Sequence, residues 1–357
     1  MKRIGNLYEK IISMENLRLA DIRARRGKTH TYGVRIHDRN REANLQALHE
    51  ALLNKAYRTS EYNIFRIFEP KERLIYRLPY YPDRIVHHAI MNILEPIWVA
   101  SFTHNTFSCV KHRGVSGCAR SVERHIRKYK GRPLYCLKID IKKFYPTMPH
   151  ETIKKAVRWK IKDKNLLWLI DEIIDSVNGT PHPVKPGELC NGESLPIGNY
   201  ISQYLSNLVL AQFMHKVNEE WKIDADEYAD DIVFYSDSKE VLHEAFRTKI
   251  RPYLEQKLGL NVKGNYQVFP VARNNQDKHG RALDFIGFKF YREQKLIRKN
   301  IKKNFCRAAA RINKREPPLP MMQYKQIVAS WLGWAKYSNS KHLLKTIIKP
   351  EYYYGIL

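Results

Sequence analysis

Acidic residues are scarce in this chain: 36 Asp and Glu stand against 63 Lys and Arg over 357 residues, a formal net charge of +27. An excess of that size on a chain that is 43% hydrophobic argues against a cationic partner and for a polyanion, nucleic acid first. Cysteine is equally sparse. Cys109, Cys118, Cys136, Cys190 and Cys306 stand far apart with no CxxC pair, so neither a disulfide framework nor a zinc knuckle is indicated and a reducing compartment fits best. With 16 Gly and 17 Pro there is too little of either for a long disordered linker, and no internal repeat or low-complexity tract is visible. No apolar run reaches the length that spans a bilayer. The opening MKRIGNLYEKIISMENLRLA is interrupted by Glu9, Lys10 and Glu15 before an apolar signal core could form. The expectation is a soluble, cytoplasmic protein with no membrane partner. Its length exceeds what one small core organises, so two or three packed subdomains around a shared cleft are expected.

Periodicity supplies the elements. Residues 8 to 28 and 38 to 56 read as helices; in the second, Asp38 is a plausible N-cap, and Leu45, Leu48 and Leu52 recur at helical spacing. YNIFRIF at 62 to 68 alternates, EPKE makes a turn, and RLIYRLP at 73 to 79 returns, which predicts a hairpin. A helix follows from Pro82. LYCLKIDI from 134 is a short apolar strand carrying one carboxylate, and HETIKKAVRWKI and LLWLIDEII read as helices. A second hairpin is expected at 225 to 236, then a helix at 239 to 258 and strands at 265 to 271 and 283 to 291. Strands interleaved with helices and joined by tight hairpins predict an α+β fold with an antiparallel sheet. After 292 the chain turns basic and helical.

Two segments carry chemistry. In EYADDIVFYS, at 227 to 236, Asp230 and Asp231 sit between Tyr228 and a β-prone apolar run. Adjacent carboxylates at a hairpin tip repel each other unless a cation sits there, although an Asp-Asp turn is also ordinary solvated loop chemistry. Asp224 and Asp226 read as surface acids. In CLKIDIKKFYPTM, at 136 to 148, Asp140 is the lone acid of an apolar strand. It must lie at the strand end, pair with a base such as Lys138 or Lys142, or hold metal. One Asp on a strand, Asp-Asp on a hairpin and a basic chain make the trio that a two-metal nucleotidyl transferase requires.

At this point the sequence resembles the reverse transcriptases. LKIDIKKFY is similar to their first catalytic motif, YADD to the third, and LPIGNYISQYLSNLVL at 195 to 210 to the nucleotide-handling motif between them. IYRLPYYPDRIVHHAIMNILEPIW resembles the fingers and LDFIGFKFY at 283 to 291 the primer grip. Order and spacing agree from about residue 5 to 340. The resemblance is greatest to the reverse transcriptases of diversity-generating retroelements, which carry an aliphatic residue before the motif glycine and Ser-Gln after it; Ile197, Gly198, Ser202 and Gln203 match. NYQVFPV at 265 to 271 also resembles that class, with Tyr266 where Trp is usual. A retron-type Val-Thr-Gly triplet is missing from the thumb segment, and no endonuclease extension is expected beyond it.

The resemblance implies a right-hand polymerase: N-terminal region and helical fingers over 1–133, an antiparallel-sheet palm over 134–291, and a small basic helical thumb over 292–357. It implies that Asp140, Asp230 and Asp231 hold two Mg²⁺ ions, with the Ile141 carbonyl as a further ligand. Tyr145 matches the aromatic that lies under the sugar of the deoxynucleotide, where it would collide with a ribose 2′-hydroxyl. Ile197, Gly198 and Gln203 belong to the nucleotide pocket, and Arg73, Arg84, Lys111 and Arg113 are candidates to hold the triphosphate. Tyr228 and Gly287 fall at positions that touch nucleic acid. Tyr266 occupies the place where a proton-donating lysine is common, with Lys263 nearby.

Residues 289 to 315 hold eleven basic residues and one acid. Ile301, Phe305, Ala309 and Ile312 form an apolar stripe that leaves Lys302, Lys303, Arg307 and Arg311 outward. A row of like charges repels itself, so duplex phosphates are its expected partner. Trp331, Trp334 and Tyr337 follow as thumb core. The implied activity is RNA-directed synthesis of adenine-mutagenised cDNA on a template-repeat RNA, in a bacterial, archaeal or phage setting. Template RNA, the RNA–cDNA duplex and a small basic accessory variability protein are the implied partners. The alternatives are another bacterial reverse transcriptase, of antiphage-defence or retron-like kind, or a non-catalytic RNA-binding scaffold on the same fold.

Overall fold

A computed structural model describes residues 3–68 and 72–352. Helices α1 (Tyr8–Ile12) and α2 (Met14–Ala24) replace the single expected first helix. The break falls at Ser13, which leaves helical geometry and accepts a hydrogen bond from the Asn16 N–H to cap α2. The second expected helix, 38 to 56, forms as α4 (Arg41–Leu53), and an unexpected helix, α3 (Tyr32–Arg39), precedes it and takes in its first two residues. Asp38 therefore lies inside α3 rather than capping a helix, and it pairs with Arg25 at 2.8 Å. Leu45, Leu48 and Leu52 are buried as their spacing predicts.

The first hairpin forms as read, with β1 (Asn63–Ile67) antiparallel to β2 (Arg73–Arg77); most of its EPKE turn lies outside the described residues. Pro82 stands in the turn Tyr80–Arg84 that leads into α5 (Ile85–Val99), and α6 (Gly114–Lys128) follows. Then come β3 (Tyr135–Asp140), α7 (His150–Lys160), α8 (Lys164–Asp175), α9 (Ser202–His215), β4 (Asp224–Tyr228), β5 (Asp231–Ser236) and α10 (Lys239–Ala245), which continues as helix through 257. β6 (Gln267–Pro270) is next. The expected strand 283 to 291 is two strands, β7 (Leu283–Phe285) and β8 (Phe288–Phe290), because Ile286 and Gly287 both take positive φ and reverse the chain. A strand that periodicity did not indicate, β9 (Lys295–Ile297), precedes helices α11 (Lys299–Asn313), α12 (Met321–Lys336) and α13 (Lys341–Ile347). The architecture is α+β with antiparallel pairing, as expected.

The chain divides into two compact units with interleaved segments: 1–110, 140–222 and 247–264 form one, and 111–139, 223–246 and 265–357 the other. In the first, α2 packs against α5 and α7 against α9. Under the hairpin, Tyr76, Val177 and Cys190 form a small core with Tyr62, Ile64 and Leu74. The second unit holds the sheet of order β4-β5-β3-β6 and the β7-β8-β9 sheet. Its C-terminal helices enclose Phe305, Ile312, Tyr324 and Val328, with Trp331 and Trp334 against them. The stripe on α11 faces this core, and Lys302, Lys303, Arg307 and Arg311 are exposed. No described helix is long and apolar enough to cross a membrane.

Helix α5 carries a titratable group into the core of the first unit. His87 is fully buried with no hydrogen-bond partner for Nε2, and burial, aided by repulsion from His88 and Arg84, pushes its pKa down to about 3. In the unfolded chain an imidazole titrates near 6.5, so between about 6.5 and 3 the unfolded state binds a proton that the folded state excludes. Stability should therefore fall with pH through that window, by up to ~1.4 kcal/mol per pH unit from this residue. His87→Leu should remove that component of the slope. Urea unfolding of both proteins at pH 7 and pH 5 measures it, and an equal pH effect in the two would assign the slope elsewhere.

Candidate active site

β3 places Asp140 as its last residue because the apolar run YCLKI before it satisfies the sheet and then ends. Beyond it the backbone keeps an antiparallel partner within the first unit. Lys263 N–H donates to the Asp140 carbonyl at 3.0 Å, Lys142 N–H to the Asn261 carbonyl at 2.7 Å, and Ile141 bridges Val262. That ladder delivers the Lys263 side chain to the carboxylate, where Nζ meets Oδ2 at 2.6 Å. The bland partner of Asp140 is thus Lys263, and not Lys138 or Lys142. The other carboxylate oxygen, Oδ1, is buried without a hydrogen-bond partner, a costly state for a lone pair unless something else fills it.

Tyr145 lies five residues on, half-buried, with its hydroxyl 3.1 Å from Ser206 Oγ and its ring edge-on to Phe144. Its carbonyl accepts from Leu195 N–H at 2.8 Å, and Ile197 accepts from Tyr76 N–H of β2 at 2.8 Å. Ser206, on α9, donates to the Gln203 carbonyl. The first unit therefore brings Tyr145, Ile197, Gly198 and Gln203 together around one loop. Gly198 has a further reason to be glycine. Its φ is +127°, and a Cβ there would stand 2.6 Å from the Tyr76 carbonyl oxygen.

Arg73 is exposed on β2, and Arg84 is partly buried. Burial lowers the Arg84 pKa against a smaller upward pull from Tyr80, and Arg77 adds repulsion. In the second unit Lys111 is exposed and Arg113 partly buried just ahead of α6. Burial lowers the Arg113 pKa while the Glu227 carboxylate opposes the shift.

The Asp-Asp hairpin has Tyr228 paired with Asp231, which leaves Ala229 and Asp230 as a two-residue turn. Ala229 adopts φ +56°, a left-handed conformation that a residue with a Cβ takes at some cost. Asp231 is 41% exposed and meets Lys138 Nζ at 3.6 Å. Asp226, read from the sequence as a surface acid, is fully buried. It accepts from His125 Nδ1 and from the Tyr235 hydroxyl, each at 2.9 Å. Asp224 is only partly exposed, bound by Lys128 at 2.6 Å and by the Tyr129 hydroxyl. Both corrections share one cause: α6 lies along β4 and offers His125, Lys128 and Tyr129. The sequence signal was those three polar side chains at the end of one helix. Gly287, at the β7–β8 turn, takes φ +86° under the Trp334 indole, where a Cβ would sit 2.5 Å from the ring.

The partnerless Oδ1 of Asp140 is a hard carboxylate oxygen, the kind of donor that Mg²⁺ takes. No three His, Cys, Asp or Glu side chains among the described residues form a metal cage on their own. A magnesium site that takes part of its coordination from substrate phosphates does not need one.

The family described as reverse transcriptase (RNA-dependent DNA polymerase) matches residues 69–268, more than half of the chain. Protein YkfC of Escherichia coli (strain K12) is 26% identical over 294 residues, covering 70% of this chain and 72% of that protein. Among solved structures, telomerase from Candida albicans with a TWJ fragment of telomeric RNA is similar at TM-score 0.48 and 11% identity, covering 84% of this chain and 63% of that one. The Candida tropicalis complex gives 0.46 and 12%, covering 84% and 60%. The chain thus spans less than two thirds of each of these telomerase chains.

Proposed function

Because the chain belongs to the reverse transcriptase family, we propose that it is an RNA-directed DNA polymerase serving a diversity-generating retroelement. The observation that carries the activity is the family match over 69–268, which takes in Asp140, the loop of Ile197 and Gly198, and the Asp230–Asp231 hairpin. What supports the finer reading is Ile197 ahead of Gly198, with Ser202 and Gln203 behind.

In this reading residues 1–133 act as fingers, 134–291 as palm and 292–357 as thumb. Asp140, Asp230 and Asp231, with the Ile141 carbonyl, would hold two Mg²⁺ ions, whose chemistry is to neutralise charge on the attacking and leaving oxygens of the transferred nucleotide. Tyr145 closes the floor of the sugar pocket against a 2′-hydroxyl, its ring held by Ser206 and Phe144. Arg73, Arg84, Lys111 and Arg113 receive the triphosphate of the incoming deoxynucleotide. Lys302, Lys303, Arg307 and Arg311 hold phosphates of the RNA–cDNA duplex, and Tyr228 and Gly287 flank the growing strand. A small basic accessory variability protein is the further partner.

Ile197 has no side-chain donor or acceptor and is stiff at its branched Cβ, so one polar check on the nascent pair is missing. A single lost hydrogen bond is worth about 0.5–1.5 kcal/mol, enough for several-fold misincorporation and too little to halt synthesis. The test is primer extension on a defined RNA template with cDNA sequencing. Full-length product with errors concentrated opposite template adenines is expected. Low, base-independent error would remove the retroelement assignment and leave the polymerase. No extension on RNA with any deoxynucleotide would sink both.

A further inference from the structure

We infer that Lys138 is a positioning residue for Asp231, and that it ties this carboxylate to the start of the basic helix α11 through Asp284 and Arg298. The inference rests on the reading of Asp231 as catalytic. All four residues lie in the second unit.

Asp231 opens β5 directly after the two-residue turn and is 41% exposed. A carboxylate so placed samples several rotamers unless something holds it, and a reacting constellation tolerates only a fraction of an ångström of play. Lys138 is the cation that meets it, at 3.6 Å. An ordinary surface lysine would hold a carboxylate poorly, because its four-carbon stem is as free as its partner. Lys138 is not free in that way. Its Nζ also donates to the Asp284 carbonyl at 3.0 Å and lies 6.0 Å from the centre of the buried Phe285 ring, and the side chain is only 26% exposed. A backbone carbonyl on a strand is a fixed acceptor, so it fixes the ammonium, and the fixed ammonium restricts Asp231.

Asp284 is held in turn. Its Oδ1 accepts from Arg298 Nε at 2.7 Å, with Nη2 at 2.5 Å. Arg298 is the N-cap residue of α11, and its own N–H donates to the Gly287 carbonyl at 2.9 Å. Polar links thus run from the helix that carries Lys302, Lys303, Arg307 and Arg311 to the catalytic hairpin. A duplex seated on α11 would act on the same residues that hold Asp231.

Lys138→Met keeps the stem and removes the charge. It should lower kcat about fivefold, the upper range for a partly exposed ion pair, with KM for the deoxynucleotide changed by less than about twofold. In metal-free, nucleotide-free protein it should speed amide hydrogen exchange over residues 228–234. Lys138→Arg should restore most of both. Arg298→Gln should act in the same direction, and the double variant with Lys138→Met should be no worse than Lys138→Met alone, since both break one chain of contacts. Unchanged exchange in Lys138→Met would overturn the inference, and so would faster exchange with unchanged kcat. A wild-type protein that extends no primer would sink the polymerase reading alone, because the exchange comparison still decides whether Lys138 holds the hairpin.

Discussion

Asp231→Asn should reduce Mg²⁺-dependent incorporation by on the order of 10²–10³-fold or more, while affinity for the RNA–DNA duplex stays near that of the wild type. The substitution keeps size and shape and removes one negative charge, so what it deletes is the electrostatic hold on a cation. Asp231 is 41% exposed and its ion pair with Lys138 spans 3.6 Å, so folding should lose less than ~1 kcal/mol. In the proposed function the phosphate contacts fall to the exposed cations of α11, which the change does not touch. Asp140→Asn should be as severe for turnover, and it also unpairs Lys263, which now meets Oδ2 at 2.6 Å. Primer extension and filter binding on the same preparations separate catalysis from binding. Wild-type rates in either variant would end the assignment of these carboxylates to the reaction.

How much of this could be read in the sequence depended on whether the cause was local. β1, β2, β3 and β5 were legible because alternation and apolar runs of strand length are properties of five or six consecutive residues. The cationic face of α11 was legible for the same reason: Phe305, Ala309 and Ile312 recur at helical spacing, and the cations fill the positions between. The breaks at Ser13 and Asn40 were not, since each interrupts a pattern that stays helical on both sides.

Side-chain partnerships were the least legible. DADEY carries three acids in five residues, so alternation marks no buried face. Asp226 is buried because His125 and Tyr235 satisfy it, and His125 stands about a hundred positions away. Lys263 appears from the sequence only as a stand-in for a proton donor. It reaches Asp140 because the backbone of 261–263 pairs with that of 140–142. Lys138 reads as a partner for Asp140, two residues along its own strand, whereas the sheet order puts β5 beside β3 and gives it to Asp231. In each case the partner came from topology.

Gly198→Ala should damage both stability and turnover, for a reason different from the one that motif reading supplies. A glycine in a nucleotide-handling loop suggests room for a base and its triphosphate. The fold adds a constraint that exists before any nucleotide binds: with φ at +127° a Cβ would stand 2.6 Å from the Tyr76 carbonyl oxygen and 3.4 Å from Ile75 Cγ2. A backbone oxygen on β2 cannot rotate away as a flexible side chain could. The loop itself must move, and the hydrogen bond from Tyr76 N–H to the Ile197 carbonyl, 2.8 Å long, moves with it. Positive φ and the clash together should cost ~3 kcal/mol. A displacement of about 1 Å at a nucleotide pocket can lower turnover by up to ~10²-fold. Gly192→Ala is the control. Gly192 has φ +70° with nothing within 4 Å of the place its methyl would occupy, so it should cost only the ~1–2 kcal/mol of left-handed backbone and leave kcat/KM near the wild-type value. Denaturant midpoints and single-nucleotide incorporation kinetics on the two variants make the comparison. If Gly198→Ala matched Gly192→Ala in both measurements, the close approach to β2 would have no part in holding Ile197 and its loop in place.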